Sequence, residues 1–140
     1  MIKNMANYEL EFSKLILAEG GYVNDKDDAG GETYLGISRK FNPAWSGWKQ
    51  VDDAKKKFPN YTNKQLTDVL KGNKILTNSA RQYYKVKYWD KLKLDNENNQ
   101  ELAHQIFDTG VNMGLTIAKQ IYDRIKVKRN ERTFSKNKHS

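Results

Sequence analysis

The chain has 140 residues, enough for one domain with a hydrophobic core and too few for two domains of ordinary size. It contains no cysteine, which excludes disulfide bonds and thiolate metal sites. The net charge of +8 favours a polyanionic partner, such as nucleic acid, an anionic membrane face or the bacterial cell wall, although a lysine-rich surface also serves solubility alone.

The first predicted helix runs from Tyr8 to Glu19 and begins after an N-cap residue, Asn7. Its apolar stripe passes through Leu15 and Ile16, and the next position on that face is Glu19. A carboxyl at such a position is partly removed from water, which raises its pKa and suits a general acid near neutral pH. The alternative is a glutamate that merely extends into solvent from a helix end.

The segment from Tyr22 to Ile37 is rich in glycines and acids, which predicts a small hairpin or an irregular loop. Asp28 lies in the glycine-rich part, where solvent is expected to keep it ionised, so it can act as nucleophile, base or electrostatic stabiliser. Thr33 can hold a water molecule by its hydroxyl. Two carboxyls in different environments suit glycosidic hydrolysis, because one group must protonate the leaving oxygen while another assists the reacting sugar.

The remaining chain is predicted to be helical, with segments beginning at residue 38 and spanning 52–58, 62–72, 79–89, 100–113 and 116–126. Thr62 and Gln65 form a predicted capping box, and Asn78 is the predicted cap of the helix over 79–89. The pattern predicts a mostly α (α+β) domain over residues 1–125, followed by a frayed basic tail over 126–140.

The first helix and the segment after it contain Glu19-Gly20-Gly21-Tyr22, Asp28, Gly30-Gly31, Thr33 and Gly36-Ile37. These motifs resemble the N-terminal signature of glycoside hydrolase family 108, the bacterial and phage N-acetylmuramidases. Tyr88-Trp89 and the run from Phe107 to Gly114 resemble two later stretches of the same family. The order of Glu19, Asp28 and Thr33 is also similar to the arrangement in phage-type lysozymes. Lys26 and Ala29 stand where the family usually has prolines.

This resemblance implies a lysozyme-like fold and hydrolysis of the β-1,4 bond between N-acetylmuramic acid and N-acetylglucosamine in peptidoglycan. It implies Glu19 as the catalytic acid and no cofactor. Candidate substrate-binding residues are Tyr22, Tyr34, Trp89 and Asn112. The three aromatic rings could stack on a sugar, although most such rings belong to a core. Asn112 lies one helical turn after Asp108, so the two side chains are expected on one face.

No metal site is predicted. An EF-hand loop that began at Asp25 would need an oxygen ligand at Ala29 and a glutamate at Gly36. His104 has no second histidine at helical spacing, which favours a hydrogen-bonded structural role.

The N-terminus shows no apolar run of signal-peptide length, and nowhere do eighteen apolar residues follow one another. We therefore expect a protein that is made in the cytoplasm and reaches the cell wall through a holin-like or export component. We also expect it to be a monomer. Two other hypotheses remain: a non-catalytic peptidoglycan-binding module of the same fold, and a basic nucleic-acid-binding protein. The second leaves the glycine-rich acidic segment unexplained.

Overall fold

A computed structural model describes residues 5–27 and 29–138, with side chains up to residue 133. The chain forms two compact units. The sheet-bearing unit comprises Phe12–Tyr84, and the terminal unit comprises the N-terminal residues up to Glu11 together with the chain from Lys85 onward.

Within the described residues the chain forms six α-helices and one three-stranded sheet, as the mostly α (α+β) prediction requires. The helices are α1 (Tyr8–Ala18), α2 (Trp48–Lys57), α3 (Asn63–Lys71), α4 (Lys74–Tyr84), α5 (Gln100–Met113) and α6 (Leu115–Lys138). The strands are β1 (Tyr22–Asn24), β2 (Glu32–Tyr34) and β3 (Ile37–Ser38). A π-helical segment, Lys85–Trp89, and a 3-10 turn, Leu94–Asn96, complete the list.

The sheet is antiparallel and follows chain order, β1-β2-β3. Tyr22 pairs with Tyr34 in the first ladder, and Tyr34 pairs with Ile37 in the second. This sheet confirms the predicted hairpin, but the helix expected from residue 38 is wrong, because Ser38 completes β3 and turns follow it.

Helix caps explain most of the helix boundaries. Asn7 Oδ1 accepts a hydrogen bond from Glu9 N at 2.9 Å, and Thr62 forms the predicted capping box at the start of α3. The predicted cap at Asn78 is wrong, because α4 begins four residues earlier. Asn73 Oδ1 accepts from Leu76 N at 3.1 Å and takes that role. Both asparagines are good cap residues, but only Asn73 lies between the end of α3 and the start of α4.

Aromatic rings form the centre of the terminal unit. Tyr8, Trp89 and Phe107 contact one another edge to face, with ring centroids 5.3 to 5.8 Å apart. All three are buried, and Trp89 has no exposed surface. These contacts join α1, the π-helical segment and α5 around one apolar cluster.

A buried carboxylate connects the 3-10 turn with α6. Glu97 is 2% exposed and accepts hydrogen bonds from Tyr122 Oη at 2.6 Å and Arg129 Nη2 at 3.0 Å. Burial alone would raise the pKa of Glu97, but these bonds and one from Asn99 N outweigh burial and hold it below the ordinary value.

The last helix is longer than predicted. Helix α6 continues to Lys138, whereas the sequence suggested fraying after residue 126. No glycine or proline interrupts residues 115–138, and Arg129 ties the helix to Glu97 within the predicted tail. No helix in the described part of the chain combines the length and apolarity that a membrane span requires.

Gly21 fits against α3 so closely that a side chain would collide there. An added methyl group would overlap Thr67 Cγ2, whereas one at Gly20 would meet nothing within 4 Å. Thr67 Oγ1 also accepts a hydrogen bond from Tyr22 N at 2.9 Å, which holds the start of β1 against α3. We therefore expect Gly21→Ala to lower the free energy of unfolding by about 1–3 kcal/mol, as overpacking does.

The matched control is Gly20→Ala, for which we expect a change within about 0.5 kcal/mol. Neither glycine has a positive φ, so alanine is compatible with both backbones. Urea unfolding followed by circular dichroism compares the two variants, and equal losses would show that the contact with Thr67 does not matter.

Candidate active site

Glu19 directly follows the last residue of α1. Its backbone N–H donates to Leu15 O at 2.8 Å, so the helical turn continues through it. Phe12 and Leu15 on the same side of the helix are buried, and Glu19 is half-buried. The structure thus confirms the predicted position on the apolar stripe. Because the last helical turn fixes the backbone, the carboxyl is presented from a rigid element.

The loop between β2 and β3 has only two residues, Leu35 and Gly36, because Tyr34 pairs with Ile37. Both have positive φ, 47° and 79°, as a type I′ hairpin turn requires. For leucine this backbone conformation costs about 1–3 kcal/mol, and it persists only where surrounding contacts offset that cost. Here the Leu35 side chain is buried, and its carbonyl accepts a hydrogen bond from Tyr84 Oη at 2.5 Å. Packing and this bond hold the turn in place.

Gly36 lies directly beside the Glu19 carboxyl group. A methyl group at position 36 would be 2.8 Å from Glu19 Oε2, 3.2 Å from Glu19 Cδ and 3.0 Å from Tyr84 Oη. Gly36 itself is exposed to solvent. Any side chain at this position would therefore collide with the carboxyl and cover it. The glycine supplies a positive φ and also leaves an open approach to Glu19.

The two faces of the sheet carry different residues, since side chains alternate along each strand. Tyr22, Tyr34 and Glu32 share one face, whereas Thr33 and its partners in the ladders, Val23 and Ser38, share the other. Thr33 is half-buried on that second face.

The loop that carries Asp28 contacts the Thr33 face. Ser38 Oγ donates to Gly30 O at 2.9 Å, and a methyl group at Gly30 would lie 3.6 Å from Thr33 Cγ2. Asp28 itself lies outside the described residues. The structure thus brings the end of the loop against Thr33, and the catalytic roles of Asp28 and Thr33 stay predictions.

An ionic network beneath the sheet joins it to α2. Glu32 Oε2 accepts from Tyr22 Oη at 2.6 Å and from Lys55 Nζ at 2.8 Å, while Oε1 accepts from Arg39 Nη1 at 3.0 Å. The Arg39 guanidinium also forms a two-bond fork with Asp52, at 2.7 and 2.8 Å. Such forks fix geometry as well as charge. The network therefore positions β2 and the turn that follows it.

Burial and hydrogen bonding act in opposite directions on the Glu32 carboxyl, which is 13% exposed. Burial by itself would raise the pKa of Glu32, but the hydrogen bonds from its three partners outweigh burial and hold the pKa below its ordinary value. The Arg39 fork likewise lowers the pKa of Asp52. Both groups are therefore ionised at neutral pH, which makes Glu32 a structural anion.

The candidate sugar-binding rings lie in the core. Tyr22 is 3% exposed, and Tyr34 and Trp89 are fully buried. Trp89 Nε1 donates to Asp95 Oδ1 at 2.7 Å, whereas the Tyr34 hydroxyl finds no hydrogen-bond partner among the described protein atoms, and burial raises its pKa to about 12. These three rings therefore pack in the core, which is the alternative that the sequence analysis gave for them. Sugar contact by any of them stays a prediction and requires the ring to become exposed.

Asn112 and His104, two polar residues on α5, each contact another side chain of the protein. Asn112 Nδ2 donates to Asp108 O at 2.9 Å and to Asp108 Oδ1 at 3.1 Å, so the two side chains do share a face as predicted. His104 Nδ1 contacts the buried carboxylate of Glu11, which is the structural role expected for this histidine. Among the described residues, no three His, Asp or Glu side chains converge as a metal site. Substrate binding by Asn112 stays a prediction.

Sequence reasoning missed the parts that position Glu19. No local pattern indicated that Tyr84, Leu35, Arg39 or Glu32 would support the turn beside Glu19. One signal was present: a two-residue Leu-Gly step between short alternating segments is compatible with a tight hairpin. The partners of that hairpin, Glu19 and Tyr84, are distant from it in sequence and could not be found by local pattern.

The chain matches the model of a known protein family. The family model described as Glycosyl hydrolase 108 matches residues 12–114, which include Glu19, the sheet, Trp89 and Asn112. No curated protein and no solved structure matched the chain. The matched span covers well over half of the 140 residues and confirms the family that the sequence motifs indicated.

The Glu32 network predicts a defined pH dependence of stability. Because the folded-state pKa of Glu32 lies below its ordinary value of 4.5, its contribution is present above that value and is lost as the pH falls through the folded pKa. We expect Glu32→Gln to lose about 1–2 kcal/mol of unfolding free energy at pH 7, after allowance for solvent screening of its partners. Its stability should also fall less steeply than that of the wild type below about pH 5.

Urea midpoints at pH 7, 5 and 3, read from tryptophan fluorescence, measure this effect. Asp53→Asn is the control, since Asp53 forms only an exposed pair with Lys49. We expect the control to change stability by less than about 1 kcal/mol. Parallel pH curves for Glu32→Gln and the wild type would contradict the assignment.

Proposed function

Because the chain belongs to the glycosyl hydrolase 108 family, we propose that this glycoside hydrolase is a lysozyme. The proposed reaction is hydrolysis of the β-1,4 bond between N-acetylmuramic acid and N-acetylglucosamine in peptidoglycan, with Glu19 as the general acid. The observation that carries the assignment is the position of the Glu19 carboxyl, half-buried at the end of α1 and directly beside Gly36, an exposed glycine of the β2–β3 turn.

The surroundings of Glu19 suit proton donation to a bulky substrate. A general acid must be held rigidly and must come within hydrogen-bond distance of the leaving oxygen. The helix end supplies the rigidity, and the absence of a side chain at Gly36 leaves room for the sugar beside the carboxyl. Tyr84 contributes indirectly, because its hydroxyl holds the Leu35 carbonyl and thereby the turn.

In the proposed reaction, Glu19 gives its proton to the glycosidic oxygen as the bond from this oxygen to C1 breaks. Positive charge then develops on the sugar ring, and an ionised Asp28 is proposed to stabilise it, to attack C1 or to activate water. Water finally supplies the hydroxyl at C1. Its other proton returns to Glu19 on the retaining route, or passes to Asp28 on the inverting route, after which solvent reprotonates Glu19. A separation of about 5–5.5 Å between the two carboxyls gives retention of configuration, and about 6.5–9.5 Å gives inversion.

The proposed substrate also implies a place of action. The enzyme would act on the cell wall, as a monomer, after a holin-like or export component has given it access. The chain's excess of positive charge supports this proposal, since peptidoglycan carries peptide carboxylates that attract cations.

The first test is Glu19→Gln, which keeps the shape of the side chain and removes the transferable proton. We expect the rate to fall by about 100- to 10,000-fold, the usual contribution of a general acid, with the fold unchanged. The measurement is mass analysis of soluble fragments released from purified peptidoglycan, including the identity of the sugar at the reducing end. Glu131→Gln, an exposed glutamate on α6, makes the same charge change and should retain full activity.

Reducing-end N-acetylmuramic acid identifies a muramidase, whereas reducing-end N-acetylglucosamine would overturn the proposed bond specificity. If the wild type binds peptidoglycan and releases no fragments, the protein is a binding module instead.

The second test concerns the open position beside the acid. We expect Gly36→Ala to lower kcat by about 10- to 100-fold, because a small displacement of a catalytic group has effects of that size. Gly114→Ala is the control, since this position has a positive φ and open space for a methyl group and lies outside the loop that carries Asp28. Both variants should lose about 1–3 kcal/mol of stability through backbone strain. Equal kcat losses in the two variants would remove the special role of Gly36.

A further inference from the structure

A concave surface in the terminal unit collects positive charge. It is a cavity of about 530 Å³. Residues 98–105, at and just before the start of α5, line one side, and residues 125–132 of α6 line the other. Three of its lining side chains are cationic, Lys128, Arg129 and Arg132, and Glu101 is the one acid among the lining residues. We call this surface the cationic pocket.

Two of the three cations are available to a ligand. Lys128 and Arg132 lie one helical turn apart on α6, so they share a face. Neither has a hydrogen-bond or ion-pair partner within the described part of the chain, and both are exposed. Like charges at this spacing repel one another, and a bound anion would relieve that repulsion.

The third cation is held in place by the fold. Arg129 Nη2 donates to the buried, ionised Glu97, and Tyr122 Oη holds the same carboxylate oxygen. A guanidinium has five N–H donors, so this contact leaves others for a ligand. Because Arg129 is already ordered, less conformational entropy is lost when an anion binds.

We propose that the cationic pocket binds oxyanionic groups of the cell-wall polymer, either phosphodiesters or carboxylates, and so holds the enzyme on its substrate. This inference rests on the proposed function for its source of ligand. The three cations lie beyond residue 114, where the family match ends, so the pocket is not contained in the matched segment. Neutral glycan would gain nothing from this charge, whereas a polyanion would bind with strong salt dependence.

The test compares two double variants of α6. Lys128→Gln with Arg132→Gln removes the two available cations of the pocket. Lys119→Gln with Arg124→Gln removes two exposed cations elsewhere on the same helix and makes the same change in net charge. Each is combined with Glu19→Gln so that the wall is not digested, and binding is measured by cosedimentation with purified cell walls at several salt concentrations.

The walls are used in two forms, one retaining its phosphodiester polymers and one stripped of them by hydrofluoric acid. At low ionic strength we expect the pocket variant to bind at least about 10-fold more weakly and the control variant less than about 3-fold more weakly. A loss seen only on untreated walls identifies phosphodiesters as the ligand, and a loss on both forms identifies carboxylates. Thermal unfolding by circular dichroism verifies that both variants are folded.

Equal losses in the two double variants would overturn the proposal, because general charge would then explain the binding. Unchanged wall binding in the pocket variant would overturn it as well, as would preferential binding of duplex DNA through the same residues. Cleavage of soluble peptidoglycan fragments by the variants without Glu19→Gln is assayed separately. If the wild type cleaves none, the proposed function fails, while the comparison of wall binding still decides the pocket.

Discussion

Glu19 and the turn at Leu35 and Gly36 constrain one another. The carboxyl and the Tyr84 hydroxyl occupy the space into which any side chain at position 36 would project. The turn can approach that closely only with glycine there, and Leu35 must accept a positive φ to complete it. The surroundings stabilise this strained backbone through burial of Leu35 and the hydrogen bond to its carbonyl. The result is a Glu19 carboxyl held at a helix end, directly against the turn.

The three-stranded sheet is likewise stabilised by side chains that are distant from it in sequence. Three-residue strands form few ladder hydrogen bonds and would be marginal alone. Glu32 compensates by joining Tyr22 on β1, Lys55 on α2 and Arg39 after β3 through one carboxylate. Glu97 does the equivalent in the terminal unit, where it fixes α6 through Tyr122 and Arg129. Each acid is stabilised because its carboxylate accepts hydrogen bonds from a cationic side chain and a tyrosine hydroxyl.

Local signals in the sequence were sufficient for a large part of the fold. Asn7 and the Thr62 capping box start their helices as predicted, and Gly114 ends α5 at a positive φ. These features depend on contacts within four residues, which a pattern can express. Asn78 shows the limit, since a good cap residue becomes an ordinary helix residue when the helix starts earlier at Lys74.

The sequence by itself determined the family, the mostly helical class and the position of Glu19 at the inner end of α1, because each follows from motif or periodicity. Only the tertiary structure decided that Gly36 and Tyr84 lie beside this carboxyl, that Glu32 and Glu97 are hydrogen-bonded anions, and that α6 continues through the basic tail. Those outcomes depend on partners far apart in the chain. The energy of a buried charge or a strained turn is set by such partners, and a linear pattern does not contain them.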